Sequence, residues 1–153
     1  MDSADQLKPS FDRRAVIELL ARGTVEELGE ALARIGEPEE WAWLRRPETG
    51  LVMVRGHTGG GGAPFNLGEA SVTRAAITLP DGTNGHAYAL GRDKVKAQYA
   101  ALLDALWQGP HRRDVEAGLL RPLRDRLEAE RSKTEAEHAA TTVDFFTLAR
   151  ENT

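Results

Sequence analysis

The chain has 153 residues, 41% of them hydrophobic and 29% charged, with a formal net charge of −4 and no cysteine. That is enough apolar material for one packed core, so a single domain over 1–153 is expected, with residues 1–10 as a flexible lead-in. The lack of cysteine excludes disulfides, thiolate nucleophiles and iron–sulfur ligation by this chain and favours a reducing compartment.

The opening MDSADQLKPS lacks the positive-then-apolar order of a signal peptide, and no apolar run approaches the roughly 18 residues of a membrane span. A cytoplasmic protein with no membrane association is the expectation. Charge is uneven: residues 1–42 carry five basic and ten acidic side chains, residues 43–94 six and four, and residues 95–153 nine and ten. Only the middle third is basic, by a small margin that suits an anionic ligand without demanding one.

In chain order, Ser10 is placed to cap a helix from about Phe11 to Ala21, with Phe11, Ala15, Leu19 and Leu20 on one side. Thr24 and Glu27 form a capping-box pair for a second helix that carries Leu28, Leu32 and Ile35 and ends at Gly36. Glu37-Pro38-Glu39-Glu40 predicts a third short helical turn bearing Trp41, Trp43 and Leu44, stopped by Arg45-Arg46-Pro47. Leu51–Val54 reads as a short strand with both faces covered. Ser71–Leu79 and His86–Leu90 alternate as strands around the turn cluster Pro80–Gly85, which predicts a hairpin.

Asp93 is the expected cap of a helix through about Trp107, with Gly109-Pro110 ending it. Asp114 to about His138 is a longer charged segment with Val115, Leu119, Leu123 and Leu127 at four-residue intervals, interrupted by Pro122. The block Ala139–Leu148 holds two of the four phenylalanines, Phe145 and Phe146, and is expected to dock on this chain or another. Together these elements give an α+β chain, with N-terminal helices and two C-terminal helices flanking a small, mainly antiparallel sheet.

The stretch Thr49–Glu69, TGLVMVRGHTGGGGAPFNLGE, is the natural place to seek function, because four adjacent glycines raise the entropy lost on ordering. It lacks the Gly-Lys-Ser/Thr ending of a phosphate-binding loop and the third glycine of a dinucleotide fingerprint. Gly59, Gly60 and Gly62 therefore form either a turned or flexible connection, or a backbone cradle for an anion. Asn66 and Glu69 pair as turn residues or as a hydrogen-bonding, acid–base couple. Arg55, Arg74 and Arg92 end or interrupt strands, where they either face solvent or converge on phosphate. Of the histidines, His86 at a strand start is the one to test as an acid or base; the four are too scattered to suggest a metal site.

The segments RPETGLVMVRG, GGGGAPFNLGE, SVTR, GHAYALGRDK and the closing VDFFTLAR closely resemble the PhnG family, subunits of the bacterial carbon–phosphorus lyase system, from about Arg14 to Arg150. Ala75 stands where a cysteine is frequent in the family, and Gly61 and Gly62 vary on a run that a threonine often splits. The resemblance implies a core complex in which PhnG acts with PhnH, PhnI and PhnL-like subunits. ATP, with magnesium, and an alkylphosphonate such as methylphosphonate enter as substrates. Ribose 1-phosphonate 5-triphosphate forms with loss of adenine, and PhnJ later breaks the carbon–phosphorus bond. It also implies that this chain binds no cofactor of its own and that nucleosidase-like chemistry sits mainly on PhnI. Two other readings stay open: a purely structural assembly subunit, and a small DNA-binding regulator built on the helices around Gly23. The charge of the N-terminal segment opposes the second, so no nucleic acid is expected.

Overall fold

A computed structural model of the chain describes residues 11–57 and 62–151, with side chains described through residue 140. The order is α1 (Arg13–Arg22), α2 (Val25–Ile35), β1 (Ala42–His57), β2 (Pro64–Thr78), β3 (Asn84–Leu90), α3 (Lys94–Trp107), α4 (Arg112–Val115), a π-turn (Glu116–Leu120) and α5 (Arg121–Glu151). The strands form an antiparallel sheet in the order β1-β2-β3, with helices before and after it in sequence.

The helix starts follow local chemistry. Asp12, two residues after the expected Ser10 cap, which lies outside the described residues, accepts from the Ala15 N–H at 2.8 Å. Phe11 before it is buried and joins the core. Thr24 and Glu27 make the reciprocal capping box at 3.1 and 2.8 Å, and Gly36, at φ 101°, ends α2. Asp93 caps α3 through the Lys96 N–H at 2.9 Å.

The third helical turn expected over 37–44 is not formed; Trp43 and Leu44 belong to β1. Trp41 and Trp43 are two apart, meet edge-to-face at 4.8 Å and pack on the core, while Leu44 between strand neighbours is exposed. That is the two-residue period of a strand, and it overrides the helix-like opening at Glu37-Pro38. Pro47 does not stop the element either. It sits on an edge strand at a register irregularity between Arg45 and Glu48, where its missing N–H costs nothing.

The hairpin of β2 and β3 forms as expected, from Thr78↔Asn84 to Val72↔Leu90. Asp81 tightens its turn: the Thr83 N–H donates to Oδ1 at 2.9 Å, which holds the Asp81 carboxyl below its ordinary pKa. The face bearing Ala75, Ile77, Gly85, Ala87 and Ala89 lies against Ala97, Ala101 and Ala105 of α3, all buried. Small residues on both sides bring helix and sheet close. At Gly85 a Cβ would fall 1.9 Å from the Ala101 carbonyl oxygen, so no other residue fits there.

At the centre of this packing lies Asp104, on α3 and fully buried. Its Oδ2 accepts from Arg13 Nη2 on α1 at 3.0 Å and from the His86 N–H on β3 at 2.9 Å. Gln108 and Arg13 both donate to the Asn84 carbonyl, at 2.7 and 3.2 Å, closing the network. Among the described residues, Oδ1 has no hydrogen-bond partner.

Pro122 does not interrupt the last helix. Proline lacks the N–H that would bond the Gly118 carbonyl, and its ring crowds that oxygen. The chain widens into the π-turn just before it, with the Arg121 N–H bonded to the Glu116 carbonyl, and Arg34 from the end of α2 donates to the Gly118 carbonyl at 2.8 Å. Beside the turn, Trp107 Nε1 donates to the buried Glu116 carboxylate at 3.0 Å, and the Arg112 guanidinium stacks 4.6 Å from the Trp107 ring centroid. Arg126 then grips Glu27 of α2 with two hydrogen bonds, at 2.7 and 2.9 Å. After Leu127 every described side chain of α5 is exposed. The helix backbone continues through the Ala139–Leu148 block, whose expected docking by Phe145 and Phe146 lies outside the described side chains. Among the described residues, no helix is long and apolar enough to cross a membrane.

Two measurements test this account. Asp104→Ala is expected to lower the unfolding free energy by about 1–3 kcal/mol in urea denaturation, because it strands the His86 N–H and removes the carboxylate partner of the part-exposed Arg13 guanidinium. At Glu27, burial pushes the carboxyl pKa up, but the hydrogen bonds from Arg126 and the Thr24 N–H outweigh it and hold the value below the ordinary one. Its stabilisation is therefore complete above the ordinary glutamate range and is lost as the pH falls through the lowered folded value. The urea midpoint of Glu27→Gln should lie below that of the parent near pH 7 and approach it at about pH 3.

Candidate functional site

The stretch singled out in the sequence folds into the two legs of an arm. β1 pairs with β2 along its whole length, from Ala42↔Thr78 to His57↔Pro64, whereas β3 reaches only Val72–Thr78. Beyond Val72 the strands Leu51–His57 and Pro64–Ser71 run on as a two-stranded ribbon for about 20 Å, at the usual strand rise. The expectation that Leu51–Val54 is covered on both faces is therefore overturned. Leu51 is 62% exposed, Met53 58% and Leu67 62%, with Val54 and Phe65 also exposed.

The register explains how the arm is built. Glu48 to Val54 pairs regularly with Arg74 to Gly68, so Leu51 and Met53 project to one face and Val52 and Val54 to the other. Between Val54 and Arg55 the register shifts, leaving Leu67 as the extra residue on β2. Gly68, at φ 153°, supplies the backbone geometry for this bulge. Leu67 then folds over Gly56, where a Cβ would come within 2.8 Å of its Cδ1. Past the bulge, His57 Nδ1 reaches the Gly62 carbonyl at 3.3 Å.

The candidate residues distribute over three places. Arg55 and Asn66 are opposite one another on the arm, and Glu69 lies opposite Met53. Gly62 sits at the start of the return leg, while Gly59 and Gly60 lie outside the described residues. Arg74 and His86 are on the sheet face turned away from α3. There Glu48 binds Arg74 Nε at 3.1 Å and is also bound by Arg45. The Arg45 hydrogen bond, against slight desolvation, and the charges of Arg45 and Arg74 hold the Glu48 carboxyl below its ordinary pKa. Arg74 thus already has a carboxylate partner, which it shares with Arg45. The exposed His86 borders a shallow concavity with Arg13, Arg14, Ile17 and Glu18, and its backbone N–H serves Asp104.

Arg92 is at the third place, the base of the arm, where its Nε donates to Ser71 Oγ at 3.2 Å. A concavity of about 380 Å³ opens there, lined by Thr49, Gly50, Leu51, Ser71, Arg92 and Lys94. Arg55, Arg74 and Arg92 are accordingly not brought together. Sequence reasoning missed Lys94, which shares the concavity with Arg92, and the exposed apolar side chains of the arm. The first was signalled only by its closeness to Arg92; the second carried no signal, since an apolar run looks the same covered or bare. Among the described residues, no group of three or more His, Asp or Glu side chains is placed to hold a metal ion.

The match to known proteins covers both the core and the arm. The family model described as phosphonate metabolism protein PhnG aligns with residues 11–151. A protein of Rhizobium meliloti (strain 1021), named alpha-D-ribose 1-methylphosphonate 5-triphosphate synthase subunit PhnG, is 52% identical over 139 residues, which cover 90% of this chain and 88% of that relative. A chain matched over nearly its whole length, arm included, by the family model and by such a relative belongs to the PhnG family of phosphonate metabolism proteins.

Proposed function

We propose that this chain is a non-autonomous subunit of a synthase that converts ATP and an alkylphosphonate such as methylphosphonate into ribose 1-phosphonate 5-triphosphate and adenine. Its working partners are PhnH-, PhnI- and PhnL-like subunits, with a PhnJ-like subunit acting on the product, and ATP enters with magnesium in the cytoplasm. The name of the relative supports the reaction class. The observation that carries the subunit role is the arm. A two-stranded ribbon is marginal in water by itself, and this one exposes Leu51, Met53, Phe65 and Leu67. Val54 is exposed on the face opposite Leu51 and Met53, so both sides of the ribbon present bare apolar side chains.

In the reaction, the bond between adenine N9 and the anomeric carbon breaks, adenine leaves with the electron pair and takes a proton, and a phosphonate oxygen bonds to that carbon. The transition state resembles that of glycoside cleavage, and water is the competing nucleophile. An arm embedded in a neighbouring subunit would help to close such a site against water. The spread of Asn66, Glu69, Arg74 and His86 over the arm and the open sheet face favours a second reading, in which the chain organises the assembly without touching substrate.

Reconstitution tests both. The isolated chain is expected to release no adenine from ATP, and adding it to its partners should turn anomeric hydrolysis into phosphonate transfer, followed by adenine release and phosphorus NMR. Met53→Asp with Leu67→Asp should leave the fold of the chain unchanged by circular dichroism yet abolish co-elution with the partners. Equal transfer by the partner set lacking this chain would refute the role; assembly-dependent transfer that survives every substitution of candidate side chains would favour the second reading.

A further inference from the structure

The arm leaves the sheet beside the start of α3, and the concavity at that junction is the most organised polar feature outside the core. Three bonds fix the β3–α3 connection over it. The Gly91 N–H donates to the Ser71 carbonyl at 2.8 Å, Thr73 Oγ1 donates to the Gly91 carbonyl at 2.8 Å, and Arg92 Nε donates to Ser71 Oγ at 3.2 Å. Thr49 Oγ1 joins the same network through Thr73 Oγ1 at 3.0 Å. Gly91, at φ 100°, makes the turn that allows it.

The consequence is electrostatic. Arg92 and Lys94 both line the concavity, and neither has an ion pair among the described residues. The one acid between them, Asp93, is turned to the helix start, where it accepts from the Lys96 N–H. Arg74, by contrast, is matched by Glu48, and Arg13, Arg14 and Arg126 are each paired with a carboxylate. With Nε held by Ser71, the two terminal nitrogens of Arg92 remain available as a fork, the geometry that suits phosphoryl oxygens. Gly50 adds open space: a Cβ built there meets nothing within 4 Å.

Resting on the reading of this chain as a synthase subunit, we propose that Thr49, Ser71, Arg92 and Lys94 form a binding site for a polyphosphate, the triphosphate arm of the nucleotide substrate. Two cations beside the Ser71 hydroxyl, whose own proton the Arg92 bond does not use, suit a multiply charged chain of phosphoryl groups better than a single phosphonate dianion. The site also answers an electrostatic demand of the reaction, in which a phosphonate must approach a molecule that already carries a triphosphate. Cations on the triphosphate lower that repulsion. None of the four residues is given a part in bond making; they position the substrate.

The test has two arms. Sodium tripolyphosphate titrated into the full chain at about 20 mM salt should shift the amide resonances of Ser71, Arg92 and Lys94, and the effect should weaken at about 150 mM. Methylphosphonate and adenosine should leave those resonances unmoved. R92Q with K94Q should weaken tripolyphosphate binding at least about tenfold, while R14Q leaves it unchanged. In the assembled synthase, R92Q with K94Q should raise the KM for ATP by a similar factor, with kcat and the KM for methylphosphonate little changed. Tripolyphosphate shifts that appear elsewhere, or an unchanged KM for ATP in the intact double variant, would overturn the site. Loss of co-elution by that variant would also overturn it, making the concavity a subunit contact while the subunit role stands. Full transfer activity without this chain would instead sink the functional reading itself.

Discussion

Asp104 is the constraint on which the rest of the fold depends. A carboxylate with no solvent exposure is costly unless it is paired and hydrogen-bonded, and one of its oxygens has no partner among the described residues. The cost is offset by what Oδ2 joins: the guanidinium of Arg13, the backbone of β3 at His86 and, through Gln108, the end of α3 itself. These contacts fix α1 against the strand edge and set the height of α3 over the sheet. The alanine and glycine surfaces can then approach closely, because a residue such as Gly85 faces a backbone carbonyl and not a side chain. A sheet held from one side in this way has its other face, and its long outer strand, left free.

A second joint handles the turn from core to α5. Trp107, Glu116 and Arg112 anchor the segment, and Arg34 supplies the hydrogen bond that Pro122 removes from Gly118. Arg126 and Glu27 repeat the same link between α2 and α5 one step further out. The two arginines thus tie the N-terminal helices to the C-terminal one at places where local sequence would otherwise end or splay the helix. The core is closed by long-range polar contacts as much as by its leucines.

How much of this was legible depended on whether the signal was local. Thr24 with Glu27, Asp93, and the Asp81-Gly82 turn state their roles within four residues, and each forms as read. Pro122 was legible as an obstacle but not as one overcome, because the remedy comes from Arg34, 84 residues before the Gly118 carbonyl it serves. Trp41 and Trp43 were misread because Glu37-Pro38 imitates a helix start while the strand period shows only over a longer window. The family motifs were plain in the Thr49–Glu69 stretch, yet its form as an arm was not: hydrophobicity states what a residue avoids, not what covers it. Arg92 was among the named candidates, but only the fold shows that Arg74 is spoken for by Glu48 and that Lys94 stands with Arg92.

The outer part of α5 obeys different physics from the body it leaves. From residue 128 to 140 it touches no core, and a helix of that length is marginal in water. Among the described contacts, what supports it is carried within itself: Arg126 to Glu130 at 2.8 Å and Arg131 to Glu135 at 3.0 Å. Exposed ion pairs at this spacing are screened by salt, whereas burial around Asp104 is not. Ionic strength therefore acts on this molecule unevenly, loosening the grip of the projecting helix on its own geometry while the sheet and α3 stay as they are.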